Sequence, residues 1–357
     1  MPSTASSQTL LALLDVELPI IQAPMAGVSS PAMAAAVGNG GALGSIGVGA
    51  TNAAGARKMI AEIRERSNRP FNVNVFCHQP ARSAPAVEAA WIERLRPEFN
   101  RLGGAPPAAL TEIYKSFVED DDMLAALLAD KPKVVSFHFG APASDRVQAL
   151  RNAGILLLGS ATSVNEARIL AAAGVHAVVA QGYEAGGHRG VFEPDADDDR
   201  LGTMALTRLL LRELDVPVIA AGGLMDGAGV SAALRLGASA AQLGTAFIAC
   251  PESQADAGYR AALVSAAANH TVMTRAISGR PARCLANRFT AFGAAIPAHE
   301  IPAYPIAYDA GKALNAAGKS AGEPGFGAQW AGQAAPLARS LPAAELVAAL
   351  AAEMKAA

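Results

Sequence analysis

Residues 216–245 read VPVIAAGGLMDGAGVSAALRLGASAAQLGT. Two short apolar runs, 218–221 and 240–243, bracket an Ala-rich helical segment, and each run ends in glycine, at Gly222-Gly223 and at Gly244 before Thr245. This is one βαβ unit: strands buried on both faces are continuous apolar runs, and parallel neighbours need a crossover to return. Upstream the same rhythm recurs, with strands expected at 19–23, 42–46, 71–75, 134–137, 155–159 and 177–180 and helices at 31–37 and 52–66. Eight such units in about 245 residues fit a closed (β/α)8 TIM barrel of the α/β class. A doubly wound sheet is the weaker alternative.

Two intervals depart from the rhythm. Residues 79–133 are too long for a simple connection and read as a helical insertion over the barrel mouth. After Cys250-Pro251 the alternation stops, so residues 1–250 are expected to form the barrel and 251–357 a helical cap and substrate region. Ser340, an early proline and Glu345 mark the start of a last helix running to about residue 355.

Composition narrows the class. With 52% hydrophobic and 17% charged residues the chain has the makeup of a well-buried globular protein, not of a disordered one. A net charge of −2 offers no field for nucleic acid or anionic lipid, so any anion site must be local. Residues 1–9 carry no lysine or arginine, and no run of about 18 apolar residues occurs, which points away from export and membrane insertion. Three scattered cysteines without CxxC spacing fit a reducing cytoplasm, and the acidic run 193–199 lacks the His or Cys partners of a metal site. No metal is expected, and a homodimer stays open.

Barrels work at the C-terminal ends of their strands and often hold phosphate after the last two. Gly222, Gly223 and the stretch Gln242, Leu243, Gly244, Thr245 fall there, and their backbone N–H groups can meet a phosphate. The plain alternative is that the glycines only make tight turns. Neither GxGxxG after the first strand nor GxxxxGK[ST] is present, which excludes the common dinucleotide and NTPase loops. After the 177–180 strand comes Gln181-Gly-Tyr-Glu-Ala-Gly186-Gly187-His188-Arg-Gly190. Its glycines allow close approach to a planar ligand, and His188 can donate or accept a proton near neutral pH. His138, at the end of the 134–137 strand, is a second histidine placed for the mouth, against the alternative of a core role.

Together with Gln22-Ala23-Pro24-Met25-Ala26-Gly27 and Phe71-Asn72-Val73-Asn74, these segments make the sequence resemble the nitronate monooxygenase family, formerly 2-nitropropane dioxygenases, across most of its length. The resemblance implies an FMN barrel in which Ala23, Pro24 and Met25 line the flavin, Asn74 and Gln181 bond its ring or ribityl chain, Gly186 touches it, and Gly223 with residues 242–245 holds its phosphate. By the same resemblance His188 is the catalytic residue, as base on a nitroalkane or as orienter of an ionised nitronate. The products would be a carbonyl compound and nitrite, made with O₂ and without NAD(P)H.

Tyr304, Tyr308 and Lys312 are spaced i, i+4, i+8, one face of a helix, and resemble the substrate side of enzymes that accept propionate 3-nitronate. Tyr114 and Tyr259 are further candidates. The competing readings are an NAD(P)H-dependent FMN reductase of enoyl-acyl-carrier-protein or quinone type, which shares the glycines and the histidine loop, and a non-catalytic phosphate-ligand sensor, which needs no His188.

Overall fold

A computed structural model describes the backbone of residues 4–357 and the side chains from residue 9; residues 1–3, the start of the stretch read for targeting signals, lie outside it. Eight parallel strands form the body: β1 (Ile20–Gln22), β2 (Gly44–Gly47), β3 (Phe71–Phe76), β4 (Val134–His138), β5 (Leu156–Ala161), β6 (Ala177–Gln181), β8 (Val218–Ala221) and β9 (Ala240–Leu243). Their order is β1-β9-β8-β6-β5-β4-β3-β2. A parallel bridge between Ile21 and Leu43 closes the ring, with Gln22 N donating to the Leu43 carbonyl at 2.9 Å. The chain is therefore a (β/α)8 barrel.

Strand alternation sorts the side chains. Outward residues such as Val73, Val75, Val135, Phe137 and Val178 pack under the surrounding helices in one large core. At the N-terminal end, Leu10 and Leu14 of the helix Thr4–Leu14 are 1% exposed and meet Leu43, Val134, Leu158 and Ile219, so this helix plugs the barrel bottom. Nothing in the sequence reading anticipated that plug.

Between β3 and β4 two helices behave differently. Asp121–Asp130 packs beside the barrel helices Ala53–Arg66 and Ser144–Asn152. Pro85–Arg101 buries Trp91, Leu95 and Phe99 against Ile277, Phe289, Ile306 and Leu314 of the C-terminal region. The last helix, Ala343–Ala356, returns to the body and buries Leu346, Val347 and Leu350 with Met33 and Val230.

The C-terminal region also contains sheet that the helix-rich expectation left out. β10 (Thr271–Thr274) and β11 (Ala282–Leu285) are antiparallel, and β7 (Gly187–His188) pairs with β11 through Ala282↔His188 and Arg283↔Gly187. The histidine loop is thus hydrogen-bonded to the cap, which fixes its height over the barrel.

Candidate active site

A cavity of about 760 Å³ opens at the C-terminal ends of the strands, in the size range of cofactor and substrate sites. Gln22 shapes one wall. Its buried amide donates to Ser29 Oγ at 2.9 Å and accepts from Ser45 N at 2.8 Å, while Ser29 Oγ accepts from Met25 N at 2.9 Å. This network holds Ala23, Pro24 and Met25 along the cavity. Asn74 stands opposite, its amide donating to Ser136 Oγ at 2.9 Å. Asn72 points instead into the barrel interior, with no exposure, and donates to Ser45 Oγ.

At the far end lie Gly222, Gly223, Gln242, Gly244 and Thr245. Gly222 has φ +122°, and a Cβ there would meet Thr203 Oγ1 at 2.7 Å, so only glycine fits. The N–H groups of Gly222, Gly223 and Gly244 donate to no acceptor among the described residues, and the half-buried Gln242 amide is likewise without a partner. Three free N–H groups and an amide turned toward one space form a cradle suited to a phosphate. Leu243 is different. Strand alternation sends it to the opposite face from Gln242, fully buried with Ile20, Met33 and Phe247, so its expected place at the ligand is corrected to the core.

The histidine loop forms the third wall. The Gln181 amide donates to the His188 carbonyl at 3.0 Å and accepts from Gly190 N at 2.7 Å, so it clasps the loop across both ends. That work was expected to go to the flavin. Arg189, 2% exposed, forks onto Asp198 at 2.8 and 3.0 Å, giving one member of the acidic run a structural task. His188 Nε2 lies 2.9 Å from Ser278 Oγ, and its other ring nitrogen has no hydrogen-bond partner among the described residues. Burial, then the charges of His138, Arg280 and His78, push its pKa down to about 3, so the ring is neutral at pH 7. His138 Nε2 sits 3.3 Å from the His188 carbonyl, and burial pushes this ring down to about 4.

Behind the two histidines stands Phe139, which has φ +73°. A bulky residue in that region costs on the order of 1–3 kcal/mol and persists only where its surroundings enforce it. Its ring is 4.4 Å from His138, 5.5 Å from Tyr304 and 5.6 Å from His188, so the strain holds one aromatic hub under three site residues.

The tyrosine and lysine candidates meet here too. Tyr304 precedes the helix Ile306–Ser320, and Tyr308 and Lys312 lie on it, so the single helical face expected for all three is shared between a loop and a helix. All three nevertheless line the cavity. The Tyr304 ring is 5.3 Å from His188, and Lys312 Nζ is 4.8 Å over the Tyr114 ring and 5.7 Å from Tyr308. Lys312 is exposed and has no carboxylate within ion-pair distance among the described residues. Tyr259 also lines the cavity, and its hydroxyl donates to the Trp330 carbonyl, so it supports Trp330 as well. Trp330 itself, 5.1 Å from His188, and Ser278 carried no motif in the sequence.

Gly186 and Gly187 border the same space, but a Cβ on Gly186 would fall 2.5 Å from Ala331 C and Gly332 N. The missing side chain admits the cap backbone, not chiefly a ligand. Among the described residues no cluster of metal-ligating side chains and no helix long and apolar enough to cross a membrane occurs.

Residues 7–353 match the family model described as nitronate monooxygenase. A nitronate monooxygenase of Paraburkholderia phytofirmans is 62% identical over 355 residues, covering 99% of this chain and 97% of that protein. One from Pseudomonas aeruginosa is 53% identical over 343 residues, with 96% and 98% covered. Among solved structures, nitroalkane oxidase from Streptomyces ansochromogenes matches with a TM-score of 0.89 at 42% identity, covering 97% of this chain and 98% of that one. FabK from Thermotoga maritima matches less well, with a TM-score of 0.73, 29% identity and coverage of 98% and 96%.

Proposed function

The chain belongs to the nitronate monooxygenase family, whose members are flavin-dependent oxidoreductases, and on that footing we propose that it binds FMN and oxidises small alkyl nitronates with O₂ to a carbonyl compound and nitrite. The observation that carries this reading is the meeting, in one cavity, of a neutral histidine, an unpaired lysine among tyrosines and a cradle of free N–H groups. The cradle of Gly222, Gly223 and Gly244, with Gln242 and Thr245 beside it, fits the cofactor phosphate, and the Ala23 to Met25 loop with Asn74 fits its ring system. A flavin seated there supplies an electron acceptor that passes electrons on to O₂.

The protein's own part is to bind and orient. A histidine whose conjugate acid has a pKa near 3 is a weak base for a nitroalkane carbon acid, but its neutral ring can donate a hydrogen bond to a nitronate oxygen. An anion at that nitrogen raises the ring's pKa toward its ordinary value, which strengthens the contact without needing a cation beforehand. Phe139, Tyr304 and Trp330 keep water from the reacting end. At the other end Lys312 reaches a second anionic group, which favours propionate 3-nitronate as substrate.

Lys312→Met should raise KM for propionate 3-nitronate about tenfold, the worth of one charge-assisted contact, and change KM for ethyl nitronate less than threefold. Equal effects on both would remove the lysine from substrate binding. The function itself is tested by adding propionate 3-nitronate, and separately NADPH, to the flavin-loaded protein without oxygen. Bleaching by the nitronate, with nitrite formed in air, is expected; bleaching by NADPH alone would move the assignment to a reductase.

A further inference from the structure

Four arginines surround the histidine loop, and among the described residues two of them have no carboxylate partner: Arg283, which donates to the Tyr183 carbonyl and to Thr271 Oγ1, and Arg280, which stands nearer the histidines. Arg189 and Arg275 pair with Asp198 and Asp195. Arg280 is 3% exposed, and its guanidinium donates only to the Val191 and Phe192 carbonyls; among the described residues no carboxylate lies within ion-pair distance of it. Among the described residues its buried Nε has no hydrogen-bond partner, nor does the buried hydroxyl of nearby Tyr304. Withdrawing a guanidinium from water without a counter-charge is costly, so such a group is informative about what its surroundings are built to receive.

Its position gives the answer. The guanidinium carbon lies 4.3 Å over the Phe139 ring, and Phe139 is 5.6 Å from His188 and 5.5 Å from Tyr304. The cation therefore stands one aromatic layer behind the wall of the cavity, with apolar ring instead of water between. We propose that Arg280 is a specificity-determining residue, whose charge acting across Phe139 makes the His188 end of the cavity prefer an ionised nitronate to the neutral nitroalkane. This rests on the nitronate reading above. At about 10 Å and an effective dielectric of about 20, one charge is worth about tenfold in binding. After burial, the same cation contributes to holding His78, His138 and His188 below the ordinary imidazole range, the direction required of a positive potential at that wall.

The bland role for Arg280 is to tether residues 191–192, and two variants of the flavin-loaded enzyme separate the roles. Arg280→Gln keeps a donor for the carbonyls and drops the charge; Arg280→Lys keeps the charge and drops the planar fork. KM for ethyl nitronate and the inhibition constant of nitroethane are measured for each. Arg280→Gln should weaken ethyl nitronate about tenfold and nitroethane less than twofold, and Arg280→Lys should stay within threefold of the parent for both. In ¹⁵N-histidine spectra the His188 titration should move up in Arg280→Gln. Parallel weakening of both ligands, or unchanged nitronate affinity, would overturn the proposal. If Arg280→Gln does not fold, loss of nitronate preference in Arg280→Lys overturns it equally. A parent enzyme that turns over ethyl nitronate while Arg280→Gln keeps its preference refutes only this inference; a parent inactive on nitronates refutes the function as well.

Discussion

His188→Ala should lower kcat/KM for a preformed nitronate about 100- to 1000-fold while leaving the flavin bound, because in the proposed reading the side chain would meet the reacting anion, away from the Gly222, Gly223 and Gly244 cradle. The pH dependence separates its two conceivable roles. Its pKa is lowered, so the neutral form prevails from about pH 4 upward, and no enzyme group from this residue should titrate between pH 5 and 9 in kcat/KM for the nitronate. A rate that climbs with pH around 6.5 in the parent, and loses that limb in His188→Asn, would instead make His188 a proton-abstracting base. The Asn variant should also recover part of the alanine loss, since its amide can still donate to the nitronate oxygen.

The elements behind that prediction were unequally legible. Most of the barrel strands could be read because a doubly covered parallel strand is typically an apolar run closed by glycine or charge, a local signal, whereas β3 showed as an alternation of Asn72 and Asn74 with Phe71, Val73 and Val75. The loop bearing His188 was legible for the same reason. What fixes the loop was not. The two-residue β7 depends on partners nearly a hundred residues away, and Ser278 and Trp330 reach His188, and Arg280 the Phe139 ring behind it, only through tertiary folding. Gln181 was recognised as a site residue, yet its amide closes the loop, because a type of residue suited to a ligand is equally suited to two orphaned backbone groups. Leu243 was misread because a contiguous motif was carried across a strand whose neighbours face opposite ways.

Glycine was the least legible residue, since one symbol covers two causes that a pair of neighbouring substitutions can tell apart. Gly187 has φ +75°, and a Cβ there meets nothing closer than Trp330 Cβ at 3.8 Å; its cost is conformational, and Gly187→Ala should destabilise by about 1 kcal/mol. Gly186 has no positive φ, but its Cβ would be driven to 2.5 Å from the Ala331–Gly332 backbone, which cannot rotate aside as a side chain can. Gly186→Ala must therefore push the histidine loop off the cap. The displaced segment carries His188, and Thr245 Oγ1, which accepts from Gly332 N at 3.0 Å, ties the same cap segment to the glycine cradle at the far end of the cavity. One methyl group should thus cost about 3 kcal/mol of stability, at the upper end of overpacking, and lower flavin content as well as activity, whereas removing the His188 side chain should lower activity alone. Thermal unfolding and flavin absorbance of the two variants measure this. A Gly186→Ala protein as stable and as yellow as Gly187→Ala would mean that the cap yields freely, and that the loop height is not set by this backbone contact.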